Sequence, residues 1–447
     1  MAKYNKSIFI FTRDLRTQDN LALIEACKNS ETVLPIFIFT PEQTNKNKRF
    51  SENCFQFMIE SLEDLVKDIP VQFFYGNIDK VINKLLNNKD IEAIYISKDY
   101  TKFATKRENL LKKIGLDLHV ISNHTLADIE SVKQESGKTY SVFTHYRNKF
   151  IKIVSVNKPV KNNYKNYYTK IQDGSIKLSK MKKLYTENKN IHINGGRRNG
   201  LKILRNAGKF KKYNDTRNFP EYNTTHLSAH NKFGTVSIRE VWYAFKNANI
   251  KDILDQFIWR EFYYCLLYNN QNLLKNNYNE KWNKFTWRNK NFKEWCNGDT
   301  GFPIIDAGMR QLNATGFMHN RVRMLVAMFL TKNLMIDWKR GEEYFSKKLV
   351  DYDPALNNGN WQWNAGTGID PLRYGVPRIM NPWSQQKTYD PECIYIKKWI
   401  PELKKVPNSD IHNWNNKYAS YNTYLEPIID YKDTIEEFMK EFKKSIR

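Results

Sequence analysis

Ile8-Phe9-Ile10-Phe11-Thr12-Arg13-Asp14-Leu15-Arg16 begins as an unbroken apolar run and ends abruptly in charge. A short run of this composition reads as a strand, and four more follow at Val33–Phe39, Val71–Phe74, Ala93–Ser97 and Leu118–Ile121. Between them, Asn20–Lys28, Glu52–Lys67, Ile78–Asn87 and Thr105–Ile114 carry apolar residues three and four apart, as crossover helices do. Residues 1–128 are therefore expected to form an α/β domain built on a doubly wound parallel sheet. Such sheets bind ligands beyond the carboxyl ends of their strands, but Thr12–Arg16 lacks the glycine-rich turn of a dinucleotide site, so no dinucleotide is inferred from it.

Beyond that domain the pattern changes. Residues 129–198 are rich in Lys, Asn and Tyr, broken by Lys158-Pro159, Asp173-Gly174 and Gly195-Gly196, and read as an interdomain connector. Gly195-Gly196-Arg197-Arg198-Asn199-Gly200 lacks a phosphate-loop ending and reads as a flexible turn. Residues 199–447 have helical periodicity, hold all 11 tryptophans and close on an amphipathic helix over Asp433–Lys444. An all-α domain is expected there.

The chain has 447 residues, enough for two or three domains, with 41% hydrophobic and 27% charged residues, which excludes wholesale disorder. Lys+Arg 72 against Asp+Glu 47 leaves a net charge of +25, a field that collects polyanions, so nucleic acid leads the expected partners. Coding bias toward lysine and asparagine would produce part of the same excess. Five scattered cysteines with no C-x-x-C pair suggest neither a disulfide framework nor a metal site. No apolar run approaches the roughly 18 residues of a membrane span, and a soluble, intracellular monomer is expected.

Three clusters carry chemistry. Gln256, Trp259, Arg260 and Tyr263 fall at i, i+3, i+4 and i+7, placing an amide, an indole, a guanidinium and a phenol along one side of a helix. That set could stack on a base and bond its edge, although an aromatic core helix with one snorkelling arginine would look the same. Met318–Met324 puts Asn320, Arg323 and Met324 on one face beside an apolar run, while Asp351 and Asp353 supply carboxylates and Asn357–Trp363 supplies amides among indoles. Unpaired buried polar groups cost about 1–3 kcal/mol each, so this density points to a large polar ligand; His319 reads as a core histidine. Tyr213 and Thr224-Thr225-His226-Leu227-Ser228 gather hydroxyls ahead of a helix, where they could hold phosphate or simply cap it.

In this order, these segments resemble the DNA photolyase/cryptochrome family, from Thr12–Arg16 with Asp19-Asn20 to Trp399-Ile400-Pro401-Glu402-Leu403, and most strongly across Phe257–Trp363, which includes Thr300–Leu312. The likeness is greatest to class I cyclobutane pyrimidine dimer photolyases. It implies a helical domain that folds FAD beneath a DNA-facing hole and uses the reduced flavin, FADH−, to split the dimer by light-driven electron transfer. By the same resemblance, Tyr213, Thr224, Thr225, Leu227 and Ser228 hold the FAD phosphates, with His226 where many members have Arg. Arg260, Asn320, Arg323, Asp351, Asp353 and Asn357 match the flavin surround, the Arg323–Asp351 pair lying beside the ring and Asn357 facing N5. Trp361, Trp338 and Trp295 match an indole chain relaying electrons from the surface. Gln256, Trp259, Asn320, Arg321, Met324 and Trp363 match the substrate hole.

Gln256 departs from the pattern: dimer photolyases of this class carry Glu there, whereas (6-4) photolyases and animal cryptochromes carry Gln. The Met318–Arg321 wording favours the dimer as substrate. Asp99–Arg107 lacks the Asn-Glu pair of methenyltetrahydrofolate-binding members, so that antenna is disfavoured and none is assigned. The alternatives are a (6-4) photolyase, a cryptochrome-like photoreceptor without repair, and a basic nucleic-acid-binding protein whose tryptophans only pack.

Overall fold

The computed structural model describes residues 2–86, 90–369 and 376–446. Its first domain is a five-stranded sheet in the order β3-β2-β1-β4-β5, every neighbouring pair parallel. The strands are β1 (Tyr4–Phe11), β2 (Ser30–Phe39), β3 (Gln72–Tyr75), β4 (Ile91–Ser97) and β5 (Asp117–Ile121). The helices between them are α1 (Leu21–Asn29), α2 (Glu52–Leu65), α3 (Ile78–Leu85) and α4 (Lys102–Lys112). The expected strands and helices are all present; Asn87, the expected end of the third helix, lies outside the described residues.

The period of two along β1 shows why the fold is doubly wound. Phe9 and Phe11 pack with Ala22, Leu23, Phe55 and Leu62 of α1 and α2, while Ile8 and Ile10 pack with Ile78, Ile82 and Leu111 of α3 and α4. Each face has its own core, so the carboxyl half of β1, Ile8–Phe11, is apolar on both faces and lacks alternation.

The 129–198 segment does more than connect. Tyr167 bridges to Val33 and Ile176 to Phe73, extending the sheet region, and α5 (Phe143–Ile153) packs on α6 (Lys251–Asn269) of the second domain. Nor is Gly195-Gly196 a flexible turn. The Gly195 amide donates to Glu60 and the Gly196 amide to Ser61 of α2, and a Cβ at Gly195 would lie 2.2 Å from the Phe57 carbonyl oxygen. Glycine stands there because two backbones touch.

The second domain is helical. It is built around α6, α7 (Pro303–Thr315), α8 (Asn320–Met328), α9 (Trp338–Lys348), α10 (Pro354–Ala365) and the terminal α11 (Tyr431–Ile446). Among the described residues no helix is long and apolar enough to cross a membrane. Helix α11 docks through Phe438 and Phe442 onto Trp282 and Phe285. Lys332, on the π-helical turn after α8, enters this contact: its ammonium lies 4.9 Å from the ring centres of both Trp282 and Phe438 and donates to the Ala365 carbonyl at the end of α10. The rings and the helix carboxyl end both favour a cation. Burial nevertheless pulls the amine down to about 7.

The unfolded lysine titrates near 10.4, so between pH 7 and that value the unfolded chain holds more protons than the folded one and stability rises with pH. Lys332→Met is expected to remove this slope, measured as the change in unfolding free energy between pH 7 and 10; an identical slope in both proteins would refute it.

Candidate functional site

Helices α6, α8 and α10, with the loop before the Ser228–Phe233 helix, enclose a cavity of about 450 Å³. Many of the residues singled out in the sequence line it. Gln256, Trp259, Arg260 and Tyr263 come from α6; Asn320, Arg323 and Met324 from α8; Asp353 caps α10, from which Asn357, Trp361 and Trp363 project. Thr225, Leu227, Ser228 and Asp351 complete the set from loops and a helix start.

The wall is graded in depth. Asn320 is exposed and Gln256, Trp259, Met324 and Trp363 are half-buried, forming a mouth with two indoles, whereas Trp361, Asp351 and Asp353 are buried. Trp259 is held flat: the Phe143 ring of α5 stacks on it with centroids 3.6 Å apart and planes at 8°, and Tyr263 lies 5.8 Å away at 26°. Across the mouth the Arg378 guanidinium lies 4.6 Å from the Trp363 ring centre. Gln256 donates to the Asp252 carbonyl of its own helix at 3.3 Å, which leaves its carbonyl oxygen for a ligand.

Charge is organised deeper. Arg323 donates to both oxygens of Asp351, at 3.0 and 3.3 Å, and its Nε is fixed by the Met318 carbonyl at 2.8 Å. Asp353 pairs with Arg13, from the loop after β1, and accepts from the Tyr264 hydroxyl at 2.6 Å. Burial works against ionisation of Asp353, but Arg13 and then Lys232 hold its carboxyl well below the usual range. Arg260 pairs with Glu261 at 3.0 Å and packs on the Tyr264 ring. Asn357 donates to Glu342 of α9 at 3.1 Å. Asn231 and Asn364, also on the wall, each keep a buried side-chain oxygen with no partner among the described residues. Buried acceptors without partners, beside ion pairs and stacked rings, suit a large, polar, aromatic ligand.

Several expected site residues lie elsewhere. Tyr213 packs on the apolar cluster around Phe245 and Phe257, and Thr224 does not reach the wall. Arg321 turns away to Asn218 at 2.7 Å and the Tyr389 ring at 4.3 Å. His226, with φ 51°, also turns away from the cavity: its Nδ1 lies 2.8 Å from Nε2 of His192, and burial, then His192, lowers it to about 3. It is neutral and gives the phosphate-type loop no cation. His319 is a core histidine as expected, capping α8. The indole chain needs correction: Trp295 and Trp338 are 0% exposed and Trp361 3%, so none of the three is its surface end. Trp295 does meet Trp361, with centroids 6.2 Å apart, and Trp287, Trp383 and Trp399 are the partly buried indoles on the same core. Phe143, Arg13 and Glu342 escaped sequence reasoning, each lying outside the helix that carries its partner.

The profile of the FAD binding domain of DNA photolyase matches residues 253–444, and that of DNA photolyase matches residues 7–163. A deoxyribodipyrimidine photo-lyase of Buchnera aphidicola is 33% identical over 98% of this chain and 97% of its own. The crystal structure of an archaeal photolyase from Sulfolobus tokodaii with two FAD molecules superposes with TM-score 0.89 at 36% identity, covering 98% of this chain and 100% of that one. A bacterial class III photolyase from Agrobacterium tumefaciens gives 0.92 at 30% identity, covering 100% and 98%.

Proposed function

Because the chain belongs to the DNA photolyase/cryptochrome family, we propose that it repairs cyclobutane pyrimidine dimers in UV-damaged DNA with blue light and FAD. The observation that carries this reading is one cavity lined both by the Arg323–Asp351 pair and Asn357 and by the indoles of Trp259 and Trp363. A class III enzyme matches the whole chain, so the resemblance to class I does not fix the class.

Thr225 and Ser228 offer hydroxyls to the FAD phosphates, while Arg323, Asp351, Asp353 and Asn357 surround its ring system. When bound in reduced form and excited, FAD would lend the electron that splits the two bonds joining the pyrimidines and take it back once they are parted. The protein's own part is recognition. A dimer flipped from the duplex, the strategy general to enzymes acting on bases, enters between the two indoles, where stacking contributes roughly 1–3 kcal/mol per base. Gln256 accepts from a thymine N3–H through its free oxygen, the task a carboxyl performs in related enzymes. The basic surface grips phosphates around the lesion. Asp99–Arg107, which forms the start of α4 and the loop before it, carries no Asn-Glu pair and argues against methenyltetrahydrofolate as antenna.

Illumination of the FAD-loaded protein with oligonucleotides bearing one defined lesion tests this directly. Restoration of the thymine dimer is expected, and repair of the (6-4) product alone would move the assignment to that class. Gln256→Ala is expected to weaken binding of a dimer-containing strand by about 1–3 kcal/mol, read by fluorescence anisotropy; unchanged affinity would remove Gln256 from the contact. For the indole relay, Trp361→Phe should slow light-driven reduction of bound oxidised FAD severalfold or more, and an unaltered rate would show that electrons arrive by another route.

A further inference from the structure

Arg49 lies in the loop before α2, in the α/β domain, outside the motifs that mark the cavity. Its Nη1 forms an ion pair with Oε2 of Glu342 and donates to the Tyr352 hydroxyl at 3.1 Å. Glu342, in α9, is 0% exposed. Its other oxygen, Oε1, accepts from Asn357 Nδ2 at 3.1 Å and from the Tyr352 hydroxyl at 3.4 Å, and its main-chain carbonyl accepts from the same Nδ2 at 3.3 Å. An ionised carboxylate only accepts hydrogen bonds. While Glu342 is ionised, Asn357 must turn its NH2 group toward it, and the amide oxygen is the end left to the cavity.

We infer that Arg49 is a positioning residue for the flavin site: by keeping Glu342 ionised from across the domain boundary, it holds Asn357 with its acceptor oxygen toward the ligand. The inference rests on the FAD reading above. Reduced FAD carries an N–H at N5 where oxidised FAD carries a bare nitrogen, so an amide oxygen favours the reduced form and an amide NH2 would favour the oxidised one. Arg49 is needed because burial by itself pushes the Glu342 carboxyl up, and Arg49 is the leading influence opposing it. Arg49 and Tyr352 are the titratable groups facing Glu342 among the described residues, and Arg49 makes its one ion pair there. Without that charge Glu342 can take up a proton and donate it, and only the 3.3 Å bond to the Glu342 main-chain carbonyl still turns the NH2 group inward, so the preference for one orientation weakens.

The test is the midpoint potential of FAD bound to the full-length protein, measured by spectroelectrochemistry against pH for wild type, Arg49→Met and Arg49→Lys. Arg49→Met is expected to lose about tenfold in preference for reduced over oxidised FAD, which for a two-electron couple is about 30 mV. Its potential should also gain a pH dependence from Glu342 that wild type lacks, and Arg49→Lys should recover most of the difference. If Arg49→Met does not fold, Glu342→Gln reads the same quantity, with the same loss expected. Wild-type potential and pH profile in an FAD-bound Arg49→Met or Glu342→Gln protein would overturn the inference and leave the FAD reading standing; a wild-type protein that takes up no FAD would overturn both.

Discussion

A single half-buried guanidinium holds the start of α10 against the sheet domain. Arg13 pairs with Asp353 and donates to Tyr264, approaches Asp99 at 3.4 Å through Nη1 and donates from Nε to the Lys232 carbonyl at 3.2 Å. Desolvating such a charge costs several kcal/mol unless its donors are engaged, and here all three nitrogens are. Asp353 in turn caps α10, accepting from the amides of Ala355 at 2.9 Å and Leu356 at 3.3 Å. The residue that begins the helix is thus the residue Arg13 grips, so the charge sets where α10 starts. Asn357, Trp361 and Trp363 project from that helix, and their placement in the cavity follows.

What was legible in the sequence was whatever periodicity encodes. The sheet could be read because parallel strands covered on both faces are uniformly apolar, as Ile8–Phe11 is, and the wall of the cavity because Gln256, Trp259, Arg260 and Tyr263 repeat at the pitch of one helix. Contacts between elements far apart in the chain leave no such trace. Phe143 stacks on Trp259 from 116 positions away, and Arg49 reaches Glu342 across 293, with no local pattern to announce either. The same blindness affected depth: indoles matched in order could not reveal that Trp295 and Trp338 are enclosed, because burial is a property of the assembled core. His226 illustrates a third limit. Its place in the loop was readable, but a positive φ turned its side chain onto His192, and backbone conformation at one residue is decided by the neighbours it meets.

The cavity divides its chemistry by depth. Stacking surfaces lie at the mouth, where a base arriving from water exchanges hydration for contact with Trp259 and Trp363, and this sequence-tolerant attraction needs no matched charge. The carboxylates of Asp351 and Asp353 are buried, where low dielectric strengthens their ion pairs and a ligand can be held in one orientation. Phe143 serves the first layer by preventing Trp259 from rotating, which reduces the conformational freedom lost on stacking. The orphaned oxygens of Asn231 and Asn364 belong to the second, since they make the floor unfavourable to any ligand that cannot donate to them.

This arrangement makes the α/β domain part of the flavin site. Asp353 and Glu342 of the helical domain are buried, and among the described residues each forms its ion pair with a cation from the other domain, Arg13 and Arg49. Removing one partner of a buried pair typically costs about 3–5 kcal/mol. Loss of either arginine from the joined protein would therefore strain the cap of α10 or the orientation of Asn357. The domains thus share one electrostatic unit at the cavity.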